Sequence, residues 1–137
     1  KAIDKFKVFV PYAWGNMDVK AGLGGAFSDI IVGKPFEIST ESFQEQGLYD
    51  DESKAFYHAK YILTRFTRAC LYINKFSQHS TTAWGSVPIQ DYKEDWWNES
   101  IEQLENRLFD KYNVPQNIRD FVLKNIQQKT EENILNK

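Results

Sequence analysis

The chain has 137 residues, 42% of them hydrophobic and 15% aromatic, and a formal charge of −2. That is enough apolar material for a packed core, which excludes a disordered chain. The single cysteine, Cys70, excludes an internal disulfide framework and a cysteine-built zinc site, and no apolar run is long enough to span a bilayer.

Net charge conceals a segregation. Residues 1–52 hold 5 basic and 9 acidic side chains, and residues 91–137 hold 7 and 10. Between them, residues 53–90 hold Lys54, Lys60, Arg65, Arg68 and Lys75 and no acid. A cationic block of this kind points to a partner carrying phosphates.

Lys5 to Pro11 alternates apolar and polar, as a half-buried strand does, and Pro11 stops it. Residues 12–25 carry Gly15-Asn16 and Gly22-Leu23-Gly24-Gly25. They lack the Lys-Ser/Thr of a phosphate-binding loop, so a plain turn is expected. Phe27 to Val32 and Phe36 to Phe43 read as two strands around Gly33-Lys34-Pro35, that is, a hairpin. Gln44 to Tyr49 reads as a further short strand. Asp50-Asp51-Glu52 supplies cap and first-turn acids for one long helix, Glu52 to Asn74. Its core stripe is Ala55, Ala59, Ile62, Phe66, Ala69, Cys70 and Ile73. The opposite stripe is Lys54, His58, Tyr61, Arg65, Arg68 and Tyr72, expected to face solvent or a phosphate backbone.

Residues 77–92 then hold hydroxyls, an amide, an imidazole and an indole, but no lysine or arginine and only one acid, Asp91. Such groups suit the hydrogen-bonding edges of bases better than acid–base chemistry. Val87 to Gln90 reads as an edge strand and Tyr92 to Asn98 as an aromatic turn. Asn98 is the expected cap of a helix carrying Ile101, Leu104, Leu108 and Tyr112. Pro115 opens a second helix with Ile118, Phe121, Val122 and Ile126 on its apolar face. The remainder is expected to be a polar tail.

The fold expectation is therefore α+β. A small N-terminal antiparallel sheet (1–49) packs on one long helix (50–75). A polar and aromatic segment (76–97) with a short strand, a helical pair (98–129) and a tail (130–137) follow. Catalytic constellations are scarce. Asp29 with Glu37-Ile38-Ser39 has the spacing of a metal-dependent nuclease, but serine stands where lysine is needed. His58 and His79 lack partners at metal-ligand spacing. His58 is expected to be solvated.

The strings KFKVFVP, PFEISTESF, AKYILTRFTRACLYINK, SQHSTTAWGSVPIQDYKEDWWNESI and LFDKYNVPQNIRDFVLKNI together resemble the C-terminal target-recognition region of restriction–modification proteins. These are adenine-specific DNA methyltransferase or restriction polypeptides. Gln78, Val87, Pro88, Gln90, Asp91, Tyr92 and Trp96 match the family's characteristic string. The resemblance implies a sequence-specific double-stranded DNA recognition domain, non-catalytic by itself and excised from a larger cytoplasmic polypeptide. The parent's class stays open: a methyltransferase, a fused methyltransferase–nuclease or a restriction subunit. S-adenosylmethionine or ATP with Mg is then expected only in the parent's other domains, and no cofactor or metal in this one.

Two functional expectations follow. In the first, Lys54, Arg65, Arg68 and Lys75 hold DNA phosphates while Gln78, His79, Ser80, Thr81 and Thr82 face base edges. In the second, the Tyr92–Trp97 turn and last two helices dock the catalytic domain or a partner subunit. Exposure of Trp96 and Trp97 discriminates between them.

Overall fold

The computed structural model describes residues 2–11, 29–39, 42–73 and 83–136. Strands β1 (Phe6–Pro11), β2 (Ile30–Gly33), β3 (Phe43–Tyr49) and β4 (Ile134–Asn136) form one sheet in the order β3-β1-β2-β4. β1 pairs antiparallel with both β2 and β3, and β4 runs parallel to β2. The helices are α1 (Glu52–Leu63), α2 (Arg65–Ile73), α3 (Ile101–Lys111) and α4 (Gln116–Asn125). The α+β class holds, with a mixed sheet in place of an antiparallel one.

Three layers result. Val8, Val10, Ile30 and Val32 of the sheet meet Ala55, Ala59 and Ile62 of α1 in one fully buried cluster. On the other side Tyr61 and Phe66 meet Trp97, Leu104, Leu108, Phe109, Val122 and Ile126 in a second cluster. The α1–α2 pair is thus a middle layer, covered by sheet on one face and by α3 and α4 on the other. This corrects the expected solvent face: Tyr61, Arg65 and Arg68 are all buried.

The long helix is broken at Thr64, whose ψ of 150° leaves the helical region. Its hydroxyl donates to the Tyr61 carbonyl at 2.7 Å and accepts from the Thr67 N–H at 3.2 Å. One side chain therefore closes α1 and opens α2.

The hairpin does not form either. Phe36 takes a φ of 70° after Pro35, and its N–H donates to the carbonyl of Ile3. Residues 34–39 therefore cross the end of β1, held there by Lys7 Nζ on the Glu37 carbonyl at 2.9 Å. Both edges of β2 are already taken, by β1 and β4.

Two further corrections concern the C-terminal half. Ser100, not Asn98, caps α3, in a reciprocal pair with Gln103. The polar tail contains β4, tethered where Asn133 Nδ2 donates to Asp29 Oδ1 at 3.1 Å. Val87 to Gln90 is not a strand: Val87 lies in a bend, its N–H donating to the Trp84 carbonyl, and the segment takes no place in the sheet.

Candidate ligand cleft

A cleft of about 330 Å³ opens between β3, α1 and residues 84–92. β3 shapes its first wall through a bulge. Lys7 pairs with Leu48 and Val8 with Gln46, so Gly47 is the extra residue. Strict alternation would place residue 48, rather than 49, on the face shared by 44 and 46. The bulge shifts the pleat, so that Gln44, Gln46 and Tyr49 all line the cleft while Leu48 turns outward, 51% exposed. Only glycine suits this position. Its φ is 67°, and an added Cβ would lie 2.5 Å from His58 Nδ1 and 2.6 Å from the Tyr49 ring.

His58 is not solvated, contrary to the reading of the sequence. Its Nδ1 shares a 2.9 Å hydrogen bond with the Tyr49 hydroxyl. Its ring stacks on Tyr92, 25° from parallel, and Tyr49 meets both rings edge-on. Tyr92 itself has a φ of 60°, rare for a bulky residue outside functional or strained positions. The two left-handed residues, Gly47 and Tyr92, thus stand on facing walls around one imidazole.

Among the described residues the cleft lining holds no Asp, Glu, Lys or Arg. Burial holds the His58 imidazole down at about 4 and pushes the phenols of Tyr49, Tyr61 and Tyr92 up. What remains is neutral: rings, hydroxyls and amides. Such a lining offers, among the described residues, no counter-charge for an anion. It suits a neutral ligand with donors, acceptors and a flat apolar face.

The opposite wall is fixed from below. The Tyr61 hydroxyl donates to the Pro88 carbonyl at 2.6 Å. The Gln90 amide nitrogen donates to Tyr112 Oη at 2.8 Å, and its oxygen accepts from Lys111 Nζ at 2.8 Å. Lys111 also reaches Glu94, which accepts from the Trp97 indole at 2.9 Å. Gln90 and Tyr92, two residues of the Val-Pro-x-Gln-Asp-aromatic string, therefore hold the rim in place from within. Ile89 between them is 96% exposed.

The expected phosphate contacts divide sharply. Arg65 is buried and paired: its Nη2 lies 2.8 Å from Glu105 Oε1, and its backbone N–H donates to Glu105 Oε2 at 2.6 Å. Arg68 is fully buried, with Nε on the Leu63 carbonyl at 3.2 Å. Burial lowers its guanidinium to about 10, against the raising charge of Glu105. Lys60 is buried too and donates to the carbonyls of Trp97 and Glu99. These are corrections with one cause. Arg65 finds an acid and Lys60 and Arg68 find backbone carbonyls within the fold, because the helices that bear them are covered on both faces. Lys54 keeps partial exposure. Lys75, Gln78, His79, Ser80, Thr81 and Thr82 lie outside the described residues. The described ends of that stretch, α2 and the turn Ala83–Ser86, pack on each other, and Trp84 and Val87 line the cleft.

Other sites fare less well. Trp97 is fully buried and Trp96 leans on it at 4.6 Å, so these rings are core rather than a flat patch. Among the described residues no group of three or more His, Cys, Asp or Glu is placed to hold a metal. No helix among them is long and apolar enough to cross a membrane. Comparison with protein-family models, with curated proteins and with solved structures finds no match to this chain.

Proposed function

We propose that this chain is a sequence-specific double-stranded DNA recognition module, non-catalytic by itself, working beside a catalytic domain of a restriction–modification enzyme. The observation that supports it is the cleft of rings and amides, without charged side chains among the described residues, whose wall, residues 84–92, is the later part of the stretch 77–92 that holds no lysine or arginine. Base edges are neutral donor and acceptor arrays, and amides pair with them in bidentate fashion. The resemblance of the Val87–Tyr92 string to target-recognition regions favours the same reading.

Phosphate contacts in this reading fall to Lys54 and Lys75, while Gln78, His79, Ser80, Thr81 and Thr82 face base edges. Arg65 and Arg68 act on folding alone. Affinity for free-standing DNA is then modest, and most of it comes from neutral contacts. The test is fluorescence anisotropy on a set of duplexes. Gln78→Ala changes the order of preferred sequences, Lys54→Ala weakens all of them alike, and Arg65→Ala lowers stability without altering preference among duplexes. Equal binding of all duplexes by the parent chain would overturn the proposal.

A second reading, docking to the catalytic domain or a partner subunit, draws on α4, where Ile118 and Phe121 are 46% and 57% exposed one turn apart. Substituting both with Ser would then release the partner and leave DNA preference intact.

A further inference from the structure

We infer that the interior holds a site for one small planar oxyanion of single charge, of the formate or bicarbonate type, gripped by the outer nitrogens of Arg68 with Lys129 beside them. The site lies away from the cleft and does not depend on the DNA reading. Arg68 is 0% exposed. Its Nε donates to the Leu63 carbonyl at 3.2 Å, at the C-terminal end of α1. That bond orients the guanidinium plane and leaves Nη1 and Nη2 side by side. Both are buried, and neither has a hydrogen-bond partner among the described residues. Protein interiors seldom leave such donors unmet, and water or an ion is the usual answer.

Charge decides between those two. Arg65 and Glu105 neutralise each other at 2.8 Å. Lys129 is half-buried, in the irregular segment between α4 and the turn Glu131–Asn133. Burial and the nearby Arg68 charge lower its ammonium, while Asp29 raises it. Setting Lys129 against Asp29 leaves Arg68 as the surplus charge. Burial brings that guanidinium down only to about 10, so it stays cationic at pH 7. A water meets the nitrogens but not this charge. A monovalent anion meets both.

Shape sets the class. The parallel N–H groups of a guanidinium match two oxygens of a planar oxyanion, a geometry that a spherical halide lacks. Complete burial restricts the ion to a few atoms and excludes a phosphate tied to a nucleic-acid strand. The tail that carries Lys129 is the route in. β4 has three residues, and beyond its pairing with β2 the tail is tethered by Asn133 to Asp29. Segments held this lightly open at less cost than global unfolding.

The test follows urea unfolding of the full chain as chloride is exchanged for formate at constant ionic strength. One saturable site in the folded state lowers the unfolding constant about tenfold for each tenfold rise in formate above its dissociation constant. On the folded chain, formate shifts the Arg68 Nε–H resonance. Arg68→Met abolishes the dependence, and Lys129→Met moves it to higher formate concentration. Equal unfolding constants in formate and chloride overturn the site. So does a formate dependence that Arg68→Met retains, or an Arg68 resonance that formate leaves in place. Should Arg68→Met fail to fold, the resonance and Lys129→Met carry the decision. No shift, or a Lys129→Met curve coinciding with that of the unsubstituted chain, then overturns the proposal.

Discussion

Glu105 offers the sharpest test of how the interior is built. Its carboxylate is 1% exposed and accepts from the Arg65 Nε, Nη2 and backbone N–H. It also sits at the N-terminus of α2, where an anion is favoured. Replacing it with Ala leaves the Arg65 guanidinium buried and unpaired, a loss of about 3–5 kcal/mol. The first N–H of α2 loses its acceptor as well, which adds about 1 kcal/mol. Arg68, whose outer nitrogens are buried without a hydrogen-bond partner, loses at the same time the Glu105 charge that favours its protonated form. The expected total is at the upper end, about 5 kcal/mol, against a typical domain stability of about 5–15 kcal/mol. Urea unfolding of Glu105→Ala and of the pair Arg65→Met with Glu105→Leu gives the measurement. The pair is expected to recover most of the loss, because an apolar replacement removes both desolvated charges. A loss below about 1 kcal/mol for Glu105→Ala, or a pair as unstable as the single variant, would refute the reasoning.

Other outcomes follow from the cleft and the helix break. Burial holds His58 at about 4, below its usual 6.5. The unfolded chain then takes up this proton at higher pH than the folded one. The stability His58 contributes is complete above about pH 6.5 and is lost as pH falls toward about 4. Imidazole resonances followed through that range should show a midpoint near the lower value; a midpoint near the upper one would mean a solvated ring. Gly47→Ala forces a left-handed alanine and a clash with the Tyr49–His58 pair, so a loss of about 1–2 kcal/mol or more is expected in the same unfolding assay. Thr64→Val removes the hydroxyl that serves two helix ends and should cost about 1–2 kcal/mol, while Thr64→Ser should cost much less.

Much of the fold was legible where local pattern decides it. The alternation of Phe6, Val8 and Val10 gave β1, and Pro115 with the spacing of Leu104, Leu108 and Val122 gave α3 and α4. Local pattern failed where the deciding contact is remote. Arg65 meets its acid 40 positions away, and Asp29 meets Asn133 across 104. A charge run without acids then reads as a surface, although its partners lie elsewhere in the chain. The same remoteness hid β4, a three-residue strand that pairs only because the tail returns to β2. The break at Thr64 was missed because threonine is tolerated inside helices. Here its capping hydroxyl coincides with a carboxylate that claims the next N–H.

The site divides in the same way. The uncharged stretch was visible, and it leads into a wall of the cleft. The burial of His58 is not legible in its helix spacing, because the residues that cover that face, Tyr49 and Tyr92, come from other parts of the chain. One signal was available: Gly47 interrupts an alternating run, and a lone glycine in a strand marks a bulge. From that bulge the convergence of Gln46, Tyr49 and His58 follows.

The central claim is that DNA is recognised through neutral groups, with few cations facing the backbone. The slope of log K against log salt on a preferred duplex measures this most directly. With phosphate contacts limited to Lys54 and Lys75 the expected slope is about −2, since each neutralised phosphate contributes about −0.9. Gln46→Ala should reorder the preferred sequences and leave that slope unchanged. A slope of about −4 or steeper, or a Gln46→Ala variant with the parent's sequence order, would contradict the account.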